Sequence, residues 1–424
     1  MVLMGHNRYH PRLIDSVLQR KLKSSGAVLI TGPKACGKTT TGLVNSSSSI
    51  MLQGEADDTI YVARNNPLQI LEGPVPRLID EWQMAPNLWD AVRNEVDRRY
   101  DMGQFILTGS SVPQDDGFRH SGVGRIAELR MHTMSLFESN DSSGVVSLKR
   151  LFDGTQIVPS VSSEHNLRGI VDLVVRGGWP RTIDADMEYV PDIVENYYNA
   201  TIGIDVFRVD GRKKDVEVVD RLMRSYSRNI STMVDNKTIV SDVTMAEQKV
   251  SMPTVLDYMD ALRRLYIIED VTAWSPAIRS KKSIRQSSKR HFTDPSLAVA
   301  ALNLSQNRLL SDLNTFGFLL ESLCVRDLRI YSQPLGGTVH HYHDSNDLEA
   351  DLIVQLRDGR WGCIEVKTGA SRIKEGVENL LSLKRTVEES EYPDPSFMMV
   401  IVSNGYVSLT LEGVWVVPID CLGP

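Results

Sequence analysis

The residues best placed to do chemistry begin with Gly32-Pro-Lys-Ala-Cys-Gly37-Lys38-Thr39, which fits GxxxxGK[ST] at every fixed position. The apolar run Ala27 to Thr31 precedes it and the helix-compatible stretch Thr39 to Val44 follows. A strand, a glycine-rich loop and a helix start in that order let backbone N–H groups and a helix N-terminus point at one anion. Gly32, Pro33, Lys34, Ala35, Cys36, Gly37, Lys38, Thr39 and Thr40 are therefore the expected nucleotide contacts. Lys38 is suited to the β and γ phosphates and Thr39 to a magnesium ion, so ATP and Mg²⁺ are the expected cofactors. Such a site also needs an acid on a neighbouring strand. Leu78-Ile79-Asp80-Glu81 supplies it, with Asp80 as the expected magnesium carboxylate and Glu81 as the general base. The strand-like Phe105-Ile-Leu-Thr108-Gly-Ser110-Ser111 ends in hydroxyls, and Thr108 or Ser110 is the candidate γ-phosphate sensor. Arg125, on the glycine-rich turn Ser121 to Ile126, reads either as a cation for transition-state charge, in its own chain or across a subunit interface, or as a solvated loop arginine.

A second constellation lies near the other end. Glu365 and Lys367, two apart in Trp361-Gly-Cys-Ile-Glu-Val-Lys, share one face of a strand. An Asp358-Gly359 turn folds Leu352 to Leu356 onto that strand and brings Asp351 alongside. Glu321 is the one acid within the apolar helical run Phe316 to Val325, which aims it inward. Phosphodiester hydrolysis needs carboxylates to hold Mg²⁺, here Asp351 and Glu365, and a lysine beside the attacking water. A cross-strand ion pair on a solvated sheet is the alternative. His340-His341-Tyr-His343 reads as exposed strand histidines rather than as a metal site. Arg279 to Arg290 holds six basic residues and no acid, which suits either phosphate-backbone contact or a solvated loop.

The elements that must position these groups follow from the pattern. Between residues 26 and 133, apolar runs at Ala27 to Thr31, Pro76 to Ile79, Gln104 to Thr108 and Ile126 to Met131 alternate with helical spacing, an α/β sheet signature. Leu88, Trp89, Val92 and Val96 mark a helix covering one face of it. Residues 138 to 166, rich in Ser, Asn, Asp and Gly, read as a surface insertion. From 216 to 272 come a helix, a second over Ser241 to Glu247, a turn, a third over Ser251 to Leu265, and the β-rich Tyr266 to Thr272. That is the order of a winged helix-turn-helix, either as a DNA reader or as a protein-packing wedge, since Asp257 and Asp260 accompany Arg263 and Arg264.

Composition narrows the setting. Against 54 acidic residues stand 47 basic ones, a net charge of -7, so nucleic-acid contact would rest on a local patch. Cys36, Cys324, Cys363 and Cys421 form no CxxC pair and read as reduced thiols. No stretch approaches the roughly 18 apolar residues of a membrane span, and the first residues place charge where a signal peptide needs its apolar core. A cytoplasmic protein with no membrane partner is expected.

Taken together, these residues resemble a family of bacterial and archaeal AAA-type (ASCE P-loop) ATPases whose C-terminal domain of unknown function is related to PD-(D/E)xK nucleases. Tyr9-His-Pro-Arg12-Leu-Ile-Asp15, the P-loop, Ile79 to Gln83, Phe105 to Ser111 and Gly124-Arg125-Ile126 carry the resemblance. Gly177-Gly178-Trp179-Pro180, His291 to Leu297, Glu365-Val-Lys367 and Gly413 to Pro418 continue it. Where the family has an acid-rich strand after the P-loop helix, this chain has Thr59-Ile-Tyr-Val-Ala-Arg64. The resemblance implies an α/β chain in four parts: a P-loop ATPase domain (1–166), a helical lid or linker (167–215), a winged-helix-like domain with the basic segment (216–292) and a PD-(D/E)xK-like α/β domain (293–424). It implies Mg-dependent ATP hydrolysis coupled to a nuclease-like domain acting on DNA or RNA. The alternative is an ATP-dependent switch with a non-cleaving nuclease-like domain and protein partners, and an oligomer fits either reading.

Overall fold

The computed structural model describes residues 3–4, 7–53, 57–109, 122–155, 157, 161–208, 214–245, 249–276, 286–389 and 392–424. Ser110 and the basic residues Arg279, Lys281, Lys282 and Arg285 lie outside them. The chain divides into two compact units. One comprises Met1–Thr133, Phe207–Arg212 and Arg264–Tyr266, and the other Met134–Val206, Lys213–Arg263 and Ile267–Pro424.

The first unit is a five-stranded parallel sheet. Its strands are β1 (Ala27–Thr31), β2 (Ser48–Met51), β3 (Arg77–Asp80), β4 (Phe105–Thr108) and β5 (Ile126–Arg130), in the order β2-β3-β4-β1-β5. Each expected strand appears within a residue of its expected bounds. Helices cover both faces, so the inner strands are continuous apolar runs. Helix α1 (Ile14–Leu22) turns Ile14, Val17, Leu18 and Leu22 onto Val28, Ile30 and Ile106. Helices α2 (Lys38–Val44), α3 (Asp57–Asn65) and α4 (Leu88–Arg99) complete the layers. In α4 the i, i+4, i+8 set Leu88, Val92 and Val96 packs with Ile79, Phe105 and Leu107, as the helical spacing predicts.

One element differs from expectation. Thr59 to Arg64 is not the strand after the P-loop helix but part of α3, and that strand is Ser48–Met51, paired Ser48↔Arg77. A strand would face Thr59, Tyr61 and Ala63 the same way. The helix instead buries Ala63 completely and leaves Tyr61 67% exposed.

In the second unit residues 138 to 166 are not a surface insertion. Val146, Leu148, Leu151 and Phe152 are buried. Val146–Ser147 (β6) pairs in parallel with Leu422–Gly423, and Ser147 caps the following helix Leu148–Phe152. The polar composition that suggested a loop is used on backbone: Ser142 Oγ donates to Leu422 O at 2.6 Å and Ser143 N–H to Asp420 O at 2.9 Å. The division between the two compact units falls between Thr133 and Met134.

Helices α5 (Leu167–Arg176), α6 (Val190–Ala200), α7 (Val216–Arg228), α8 (Asn236–Val243) and α9 (Met252–Arg264) follow. Helix α8 starts earlier than its apolar pattern suggests because Asp235 caps it, accepting from the Thr238 N–H at 2.8 Å. After α9, antiparallel bridges join Ile268 to Phe292 and Val271 to Lys289. Beyond α10 (Ser296–Ala301), the long helix α11 (Leu313–Ser332) carries Arg326, fully buried between Asp294 at 3.2 Å and Asp327 at 2.8 Å. Asp294 also accepts the Gly178 N–H and Asp327 the Leu136 N–H, so this triad ties four chain segments together.

The last layer is a mixed sheet of β7 (Thr338–His343), β8 (Glu349–Gln355), β9 (Trp361–Lys367), β10 (Phe397–Val402), β11 (Ser408–Leu409) and β12 (Val414–Pro418), in the order β11-β12-β10-β9-β8-β7. The β8–β9 hairpin is the expected one. Helix α12 (Ile373–Glu388) lays Val377, Leu380, Leu383 and Val387 on one face, with Trp274 stacked on Trp361 at 4.7 Å. All four cysteines are buried free thiols. No helix among the described residues is long and apolar enough to cross a membrane.

Candidate functional site

In the first unit the P-loop leaves the C-terminal end of β1 and closes on α2. Gly32 and Gly37 take φ of +148° and +103°, and a side chain on Gly32 would meet Met131 O at 2.2 Å, so the tight wrap requires glycine. Lys38, only 6% exposed, donates through Nζ to Gly32 O at 2.9 Å and Pro33 O at 2.7 Å. Its ammonium is thus held over the loop it opens. Thr39 Oγ1 donates to Asp80 Oδ1 at 2.9 Å. A hydroxyl and a carboxylate, both hard oxygen donors, stand together where a magnesium ion would bind.

Asp80 is not on the strand next to the P-loop strand, as expected, but one further out. Strand β4 lies between, its tip paired Asp80↔Thr108, and the Thr108 hydroxyl donates to Asp80. The candidate sensor and the candidate magnesium carboxylate are therefore joined directly. Glu81 follows with φ +53°, a left-handed turn that swings its carboxyl off the strand, where the Gln83 amide donates to it. Burial first, then the charge of Asp80, raises this carboxyl above the ordinary glutamate range, against the pull of Lys38 and Gln83.

Arg12 is a site-building residue that periodicity alone did not reveal. Its buried guanidinium donates to Cys36 O at 2.9 Å and to His132 O and Thr133 O at 2.9 and 3.0 Å, pinning the crest of the P-loop to the chain beyond β5. The signal in the sequence is Tyr9-His-Pro-Arg12, one of the segments that carry the family resemblance. Arg125 is not brought to this pocket. Its carbonyl accepts from Ala27 N–H at the N-terminal start of β1, roughly 16 Å of strand from the P-loop, and its side chain pairs with the exposed Asp97 at 2.9 Å. Arg125 thus lies at the opposite end of β1 from the P-loop.

In the second unit the hairpin register Leu352↔Ile364, continued by one residue, sets Asp351 against Glu365 on one face. Glu365 accepts from Lys367 at 2.7 Å, and Asp351 accepts the Val366 N–H at 2.8 Å. Glu321 is buried beneath them, as its inward-facing position predicts. A cleft of about 190 Å³ opens over Glu321, Asp351, Lys367, Thr368, Asn314 and Arg372.

The expected shared divalent ion meets a different occupant. Lys289, 4% exposed, inserts its ammonium 2.8 Å from Glu321 and 3.5 Å from Asp351. Among the described residues no group of three or more His, Cys, Asp or Glu side chains could hold a metal ion. At the two carboxylates assigned to a metal, lysines supply positive charge, Lys289 at Asp351 and Lys367 at Glu365. Lys289, near one end of the basic run Arg279 to Arg290, is thus buried rather than presented to solvent. Arg290 is also buried, bound to Asp270 at 3.1 Å and Asn236 at 2.8 Å. Lys289 and Arg290, the two described basic residues of that run, are internal counterions. Burial pushes Glu321 up to about 8, with Lys289 opposing, and burial with the charge of Asp351 pushes Glu365 up to about 8. The histidines are not uniformly exposed: His341 is fully buried against Ser287 O at 3.1 Å, and burial drives it down to about 4.

Three family descriptions match the chain. Residues 24–140 match an AAA domain, 167–308 a domain of unknown function (DUF8612), and 316–422 another domain of unknown function (DUF4143). The first unit's core is thus similar to an AAA domain and carries the P-loop motif. The uncharacterized proteins Rv2008c of Mycobacterium tuberculosis and Mb2031c of Mycobacterium bovis are each 22% identical over 371 residues, covering 86% of this chain and 75% of theirs. A solved structure, the Walker-type ATPase PABY2304 of Pyrococcus abyssi, aligns at 14% identity with a TM-score of 0.42, covering 69% of this chain and 96% of that one.

Proposed function

We propose that the chain is a Mg-dependent ATPase that uses nucleotide binding and hydrolysis to switch its second unit, a nuclease-like module that engages partners without cutting them. The observation that carries the first half is the convergence of Lys38, Thr39, Asp80, Thr108 and Glu81 at one end of one sheet. Magnesium would be held by the Thr39 hydroxyl and the Asp80 carboxylate, where it would neutralise phosphate charge. Lys38 holds the triphosphate, Thr108 senses through Asp80 the occupancy of the γ position, and Glu81 takes the proton of the attacking water. Hydrolysis of ATP by the full chain, lost with EDTA and lost in Glu81→Gln, tests this reading. Turnover by Glu81→Gln at the wild-type rate would sink the base assignment.

Lys289 carries the second half. Its ammonium already neutralises Glu321 and Asp351, the charges a catalytic metal would balance. Three helices, α7 to α9, and the bridged segments 268–271 and 289–292 support a winged-helix-like module in the same unit, read as a partner-binding wedge. Arg125 fits this reading only across a subunit interface, and a cytoplasmic location goes with it. A second reading, metal-dependent cleavage of nucleic acid, is favoured by Asp351, Glu365 and Lys367 sharing one face. A labelled DNA and RNA panel with Mg²⁺ or Mn²⁺, with and without ATP, separates the two. Cleavage that disappears in Glu365→Gln would restore the nuclease.

A further inference from the structure

Gln83 takes no part in the phosphate chemistry set out above, yet its surroundings single it out. It sits in a single 3₁₀ turn, Trp82–Met84, that starts directly after Glu81. Its Nε2 donates to Glu81 Oε2. Only the amide nitrogen can face a carboxylate, which fixes the orientation of the group. Oε1 is thereby turned into the protein, where it is buried without a hydrogen-bond partner among the described residues. A glutamine kept only for packing would not carry such an atom, because an apolar side chain of the same shape avoids the cost. Room for the amide comes from Gly109, where a Cβ would lie 2.8 Å from Gln83 Oε1 and 3.2 Å from Trp82 Nε1. Gly109 follows Thr108, whose hydroxyl holds Asp80. The tip of one strand therefore touches both acids, Asp80 directly and Glu81 through Gln83.

We propose that Gln83 is the positioning residue of the hydrolytic base, holding Oε2 of Glu81 so that Oε1 faces the attacking water. The inference rests on the ATPase reading above. In the step it serves, the water oxygen bonds to the γ phosphorus and the bond from that phosphorus to the bridging oxygen breaks. Its electron pair leaves with ADP, and the water's proton passes to Glu81 Oε1. A base left free to rotate about its own side-chain bonds would present that oxygen only part of the time. Gly109 makes the device responsive, because a shift at the end of β4 moves the wall against which the amide rests.

The test uses the full chain with Mg-ATP and a fluorescent ATP analogue, mant-ATP, as the binding probe. Gln83→Met keeps the volume and removes the donor. It should lower kcat roughly 10- to 100-fold, part of what a general base supplies, with KM for ATP and mant-ATP affinity within about twofold of wild type. Gly109→Ala leaves Gln83 in the chain but displaces its amide, and should give the same split between kcat and KM. In a Glu81→Gln background, Gln83→Met should cost nothing further, because the two act through one group. Wild-type or faster turnover by Gln83→Met, or a loss that multiplies with that of Glu81→Gln, overturns the proposal. Wild-type turnover by Glu81→Gln would instead strike the base assignment, and no ATP hydrolysis by the unmutated chain would strike the ATPase reading, so the failures are distinguishable.

Discussion

Replacing Lys289 by methionine removes the ammonium but keeps most of the stem. Three carboxyl groups, Glu321, Asp351 and Glu365, then lose the cation that pairs with two of them, while Lys367 stays bound to Glu365. Breaking a buried pair from one side costs about 3–5 kcal/mol, which lowers the melting point of a unit this size on the order of 10 °C. The loss should depend on pH in a definite sense. Glu321 and Glu365 are pushed up to about 8 from an ordinary 4.5, so the folded state holds protons that the unfolded chain has released. Stability therefore falls as pH climbs from about 4.5 to about 8, and the full penalty is present above that. Without Lys289 both groups move higher and the fall extends to more alkaline pH. The deficit of Lys289→Met should thus be small at pH 5.5 and large at pH 9. Calorimetry of the full chain reads this in the transition that ATP does not move, and Mg²⁺ should leave the wild-type transition where it is. An equal deficit at every pH would mean that Lys289 serves as packing, not as a counterion.

Lys38→Ala should abolish tight ATP binding, while Glu81→Gln keeps it and loses roughly 10²- to 10⁴-fold in turnover, measured by mant-ATP titration and phosphate release. Arg12→Met removes the guanidinium donors from three carbonyls, one of them at the P-loop crest. It should cost about 1–3 kcal/mol and weaken ATP binding, whereas unchanged affinity would reduce Arg12 to a structural tie. Arg326→Met strands Asp294 and Asp327, both fully buried, and should destabilise the second unit by about 3–5 kcal/mol in the same calorimetric transition while ATP affinity in the first is retained.

The strands and P-loop of the first unit were legible because buried parallel strands must be apolar on both faces, and because a phosphate cradle needs glycine, lysine and threonine at set offsets. Ser48–Met51 was not, since an edge strand of Ser-Ser-Ile-Met carries too little hydrophobic contrast. Composition misled at residues 138–166, where serines that look like solvent-facing loop spend their hydroxyls on backbone far along the chain. It misled again at Lys289 and Arg290. A basic run says nothing of which carboxylates will fold around it, and Glu321 and Asp351 lie 32 and 62 residues away. At the C-terminal acids the residues were found but their partner was not.

The pairing of Val146–Ser147 with Leu422–Gly423 has a consequence for synthesis. The first strand of the second unit leaves the ribosome about 276 residues before its partner, a wait of roughly 14–55 s at about 5–20 residues per second. During that time Val146, Leu148, Leu151 and Phe152, all buried in the finished unit, have no completed core to enter. The sequence separation also makes closure of the unit a late, high-contact-order event. An expressed fragment that starts at residue 167 lacks both β6 and the serines that bond the segment Asp420 to Leu422. A fragment starting at Met134 keeps them, and it is the shortest piece of the second unit expected to close on itself.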